Sequence, residues 1–63
     1  MKLSNKKPKQ LVTEKFISIY GVVPYAIEKI GRDDRWQIYF VQSKFNECEI
    51  AINVNTNEAI KWA

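Results

Sequence analysis

The sequence predicts an α+β fold: one N-terminal helix packed on one face of a three- to four-stranded antiparallel β-meander. Three observations predict it. From Pro8 to Val23, apolar residues recur at helical spacing, with a proline near the start and a glycine after the last turn. From Tyr25 to Trp62 the pattern becomes alternation in short runs separated by polar turns. Finally, 63 residues make one domain at most, and with one cysteine and no histidine neither an internal disulfide nor a zinc site can staple it. The apolar core must hold the fold, and eight aromatic residues and eight isoleucines supply it.

The organisation follows in chain order. Residues 1–7, MKLSNKK, show no periodicity and read as a flexible basic tail, leaving 8–63 as a single domain. Pro8 suits a first helical turn, where its missing N–H costs nothing. Val12, Phe16, Ile19 or Tyr20, and Val23 then form one stripe, predicting a helix over Lys9–Tyr20 closed by Gly21. Tyr25–Ile30 alternates as a first strand, and Gly31–Asp34 reads as a turn. Arg35–Ser43 and Glu47–Val54 are the next strands, joined by a turn of Lys44, Phe45 and Asn46. Asn55, Thr56 and Asn57 turn the chain again, with Asn57 doing a glycine's work, and Glu58–Trp62 ends it. This spacing puts Tyr25, Ile27, Trp36, Ile38, Phe40, Cys48, Ile50, Ile52, Ile60 and Trp62 on the face that the helix covers.

Charge and composition narrow the function classes. Lys2, Lys6, Lys7 and Lys9 carry four of the ten basic charges, and the rest of the chain has six basic and seven acidic residues. The basicity therefore belongs to the tail, which is the nucleic-acid-binding alternative, using Lys2, Lys6, Lys7 and Lys9. No run resembles a secretory signal or approaches the ~20 apolar residues of a membrane span. With its lone thiol, the chain is expected in the cytoplasm, without a membrane partner. Richness in Lys, Ile and Asn resembles proteins of AT-rich genomes, including phages.

Catalysis is not expected. The commonest general base near neutral pH is missing, and Cys48 is placed on the apolar face, where a thiol is inert. Glu47 and Glu49 share an exposed face and suit ion pairs better than acid–base work. Asp33 and Asp34, beside Arg32 and Arg35, make a poor cation cage, so no metal or other cofactor is expected. The remaining surface, the open side of the sheet, is read as a protein-binding face built from Arg35, Gln37, Tyr39, Val41, Glu49, Ala51 and Asn53. A strand edge offers a second route to a partner, and packing of two open faces in a homodimer offers a third.

The closing segment Ile52-Asn53-Val54-Asn55-Thr56-Asn57-Glu58-Ala59-Ile60 resembles the last hairpin of PepSY-like domains. The common pattern there is an apolar residue, Asp, two variable residues, Thr, Gly, Glu and two apolar residues. Asn53 stands for the Asp and Asn57 for the Gly, while Thr56 and Glu58 match. The order of helix, hairpin and this ending also fits, over roughly Leu11–Ile60. The resemblance implies a non-catalytic module of the kind found in protease propeptides and cell-envelope proteins and thought to restrain peptidases. Most such domains are exported, which this chain's basic start without a signal peptide does not match. The function expected from residues and resemblance together is a small protein-binding module that inhibits a protein partner, either as a PepSY-like peptidase restrainer or as a phage or mobile-element inhibitor.

Overall fold

A computed structural model describes residues 7–63. Lys2 and Lys6 of the basic tail lie outside that range. Helix α1 (Pro8–Tyr20) precedes strands β1 (Ala26–Asp33), β2 (Trp36–Gln42), β3 (Glu47–Asn53) and β4 (Ala59–Lys61). The strands form one antiparallel sheet in the order β1-β2-β3-β4. The fold is the α+β arrangement expected, with the helix on one face.

Pro8 occupies the first turn of α1, preset by its fixed φ, while Lys7 before it is extended. Gly21 ends the helix at φ 75°, a conformation that costs a residue with a Cβ, and its N–H donates to the Ile17 carbonyl at 2.7 Å. Val12 and Phe16 have no exposed surface. Phe16 stacks at a tilt on Tyr20 one turn later, with ring centroids 4.7 Å apart. Of the alternatives Ile19 and Tyr20, Tyr20 is the one that packs against the core; Ile19, and Val23 expected on this stripe, are exposed. The buried line is Val12, Phe16 and Tyr20, flanked by Leu11, and Val23 lies beyond the Gly21 cap where the helical spacing no longer applies.

The sheet contributes Tyr39, Val41, Cys48, Ile50 and Ile52 to this core, with Ile27 and Ala59 packed at its margin. This corrects the expected facing of two strands. In β2 the residues under the helix are Tyr39 and Val41, not Trp36, Ile38 and Phe40; in β4 it is Ala59, not Ile60 and Trp62. Tyr25, also expected inside, is 71% exposed.

The cause is turn length. The β2–β3 hairpin has only Lys44 and Phe45 at its tip, because Ser43 already pairs with Asn46: the Ser43 N–H donates to the Asn46 carbonyl at 2.7 Å. A three-residue turn would set Ser43 opposite Glu47. The two-residue tip sets Gln42 opposite Glu47, Val41 opposite Cys48 and Tyr39 opposite Ile50. One residue of register sends every side chain to the other face. The same slip separates expectation from structure at β3–β4, where the Asn53 N–H donates to the Glu58 carbonyl at 2.8 Å across the intervening turn. Ala51 therefore pairs with Ile60, and Ile52 with Ala59.

Within that turn Asn57 takes the role expected of it, and Asn53 adds a second one. The Asn53 Oδ1 accepts from the N–H groups of Asn55 (2.9 Å) and Thr56 (3.2 Å). Asn57 sits at φ 63°, where asparagine is tolerated better than most residues.

Strand β1 runs on to Asp33, past the turn expected at Gly31–Asp34, and is interrupted by a bulge at Ile30 between the pairs Lys29–Tyr39 and Gly31–Ile38. The turn to β2 is Asp34–Arg35, with Asp34 at φ 58°.

Because Phe16 is the largest side chain with no exposed surface, Phe16→Ala is expected to cost about 3–5 kcal/mol. That is comparable to the whole stability of a domain this small, which lies near the low end of roughly 5–15 kcal/mol. Urea unfolding followed by circular dichroism should show the cooperative transition lost or its midpoint collapsed. A transition close to that of the wild type would contradict this account of the core.

Candidate functional site

The face of the sheet turned away from α1 is built of rows defined by strand register. One row is Glu28, Phe40 and Glu49; the next is Gly31, Ile38, Ala51 and Ile60; the third is Asp33, Trp36 and Asn53. Trp62 follows β4 on the same side, its N–H donating to the Glu49 carbonyl at 2.6 Å. The Trp36 and Trp62 rings approach to 6.3 Å, although their strands flank β3 from opposite sides. Ala51 lies in register between them and has no exposed surface, despite facing away from the helix. A small residue beneath two indoles and two isoleucines accounts for that burial. Trp62 itself is 37% exposed, and Trp36, Ile38, Phe40 and Ile60 are half-buried. Five large apolar side chains thus form a surface that the helix does not cover.

The residues expected to form the open face are divided by the same register. Glu49, Ala51 and Asn53 are on the uncovered side as expected, with Ala51 and Asn53 buried and the Asn53 side chain held by the turn. Gln37, Tyr39 and Val41 lie on the helix side, because the two-residue tip reverses β2. Tyr39 is 5% exposed, and its hydroxyl donates to the Gln37 Oε1 at 3.2 Å. Arg35 belongs to the β1–β2 turn, with its Nε 3.6 Å from the Asp34 carboxylate. Tyr39 is therefore not on the uncovered surface; the large aromatic side chains there are Trp36 and Trp62, with Phe40 beside them. The sequence signal for Trp36 and Phe40 is their alternation with Ile38, which puts the three on one face without saying which face that is. Of the basic tail, Lys7 and Lys9 are described and are exposed at the start of α1.

Cys48 sits under the helix on the core side and is 5% exposed. Burial pushes its thiol above the ordinary 9.0, against the opposing effects of a hydrogen bond with Tyr20 and the charge of Lys61. Tyr20 is raised above 10.0 by desolvation, with the Cys48 hydrogen bond and charge adding to it. Among the described residues no group of three or more side chains is placed to hold a metal ion. No helix among them is long and apolar enough to cross a membrane. Comparison with family models, with curated proteins and with solved structures finds no match for the chain.

The Tyr20–Cys48 pair yields a pH prediction. Both groups hold their protons more tightly in the folded state, so the native chain binds more protons than the unfolded chain at alkaline pH. The stability linked to them is complete below the ordinary Cys value of 9.0 and is lost as pH rises through the raised folded values. Urea midpoints should be level through neutral pH and fall above about pH 9, and Cys48→Ala should flatten part of that fall. A midpoint that rises over the same range would contradict the assignment.

Proposed function

We propose that this protein is a small, non-catalytic protein-binding module that captures a partner on the uncovered face of its sheet. The observation that carries the reading is the tryptophan pair Trp36–Trp62, set with Ile38, Phe40 and Ile60 on a face with no helix over it. Tryptophan is the side chain most enriched among the residues that dominate binding energy, and clustered apolar groups at a surface mark interaction sites. Inhibition of the partner is the form of binding we favour. The resemblance of Ile52–Ile60 to the closing hairpin of PepSY-like domains makes a peptidase one candidate partner, and a phage or mobile-element inhibitor is the other version of the same class. The buried lone thiol of Cys48 fits a reducing compartment such as the cytoplasm.

A second reading, nucleic-acid binding, has its own support. Lys29, Arg32 and Lys61 stand by register on the helix side, the side of Lys7 and Lys9. It shares no residue with the tryptophan face, so the two are separable by mutation.

The test is selection of a displayed peptide library on the folded protein, followed by affinity measurements on three proteins. Selected peptides should bind wild type and the helix-surface variant Ile17→Ala alike. They should bind Trp62→Ala at least about tenfold more weakly, the loss expected for truncating a central aromatic anchor. Circular dichroism checks that Trp62→Ala remains folded. Peptides that bind Trp62→Ala as well as wild type would contradict the reading.

A further inference from the structure

Resting on the reading of the uncovered face as a binding surface, we infer that its partner is a protein segment with an apolar centre edged by lysine or arginine. The strands contain seven charged residues. Register places all four acids, Glu28, Asp33, Glu47 and Glu49, on the uncovered side, and all three bases, Lys29, Arg32 and Lys61, on the helix side. The bulge at Ile30 completes this sorting. Without it Arg32 would stand opposite Trp36 on the uncovered face; with it Arg32 faces Gln37 on the helix side, and Asp33 takes the place beside Trp36.

Among the described residues none of these four carboxylates forms an ion pair, and the one hydrogen bond to them from a side chain is from the Gln42 Nε2 to the Glu47 Oε1 at 3.4 Å. Glu28 and Glu49 flank Phe40 in one row, and Asp33 flanks Trp36 in another. A ligand laid over the aromatic centre must bring its own edges beside these carboxylates. Cationic edges are attracted and anionic edges repelled, so the acidic rim selects among apolar ligands by charge. The same rim disfavours a second copy as the occupant, because face-to-face packing would oppose four carboxylates with four.

The two tryptophans are the only ones in the chain, so its indole fluorescence reports directly on this face. The probes are two synthetic peptides of about eight residues, near the usual strand length. One alternates lysine with leucine and the other glutamate with leucine. The lysine peptide should shift the emission saturably, more tightly at low salt than at high, and the glutamate peptide should not. The exposed-rim variant Glu28→Gln/Glu47→Gln should keep the fold and weaken the lysine peptide roughly two- to thirtyfold, from two surface ion pairs lost. An equal response to both peptides would overturn the charge inference and leave the binding face standing. Lysine-peptide binding untouched by the double variant would also overturn it. No response to either peptide would overturn the binding face and the inference together. An emission shift that tracks protein concentration, with a dimer mass by light scattering, would assign the face to a second copy and overturn the inference.

Discussion

Two residues, Lys44 and Phe45, cap the central hairpin, and that even number sets the facing of β2 against β3. The alternation of β3 is unambiguous: Cys48, Ile50 and Ile52 must go inward, and Glu47 and Glu49 outward. In an antiparallel pair, residues directly opposite share a face. An even connection pairs odd positions with even ones, so Tyr39 and Val41 join Cys48 and Ile50 in the core. The turn after Asn53 imposes the same rule on β4 and sends Ile60 outward with Trp62. The aromatic and isoleucine centre of the uncovered face follows from these two connections, and the bulge at Ile30 adds Asp33 beside it.

The resulting sheet is apolar on both sides of its centre, an arrangement that a single covering helix does not require. On the helix side, Phe16 and Val12 complete the burial of Ile50 and Ile52. On the other side, the two indoles meet above Ala51, where a larger residue would hold them apart. An apolar face left in water invites association with other sheets, and carboxylates around such a face oppose the approach of a like one. The edge strand β1 is further blunted by its bulge and by its four charged side chains. Aromatic centre, acidic rim and basic opposite side thus follow from the registers of the three strand pairs, the bulge in β1 included.

Much of this was legible in the sequence. Pro8 and Gly21 mark the two ends of α1, and the order of four antiparallel strands follows from alternation and polar turns. The positive φ at Asn57 was also readable, because few other residues tolerate it. The facing of β2 was not readable from periodicity, since Trp36, Ile38 and Phe40 on one side compete with Tyr39 and Val41 on the other. Only the turn length decides between them, and Asn46 has the composition of a turn residue while its carbonyl pairs with Ser43. The bulge at Ile30 carries no proline or unusual φ to announce it; Gly31 beside it is the one hint. Of the expected binding face, Glu49 and Ala51 kept their side because β3 alternates cleanly, and Tyr39 changed sides because β2 does not.

The register of β2 against β3 is most directly tested by proton–proton contacts in a solution NMR spectrum of the full chain. The account predicts contacts from the Tyr39 ring to Phe16 or Val12, together with contacts between the Trp36 and Trp62 indoles. Contacts from Phe40 or Trp36 to Phe16, with the Tyr39 ring free in solvent, would mean the opposite facing and would remove the tryptophan face from the surface.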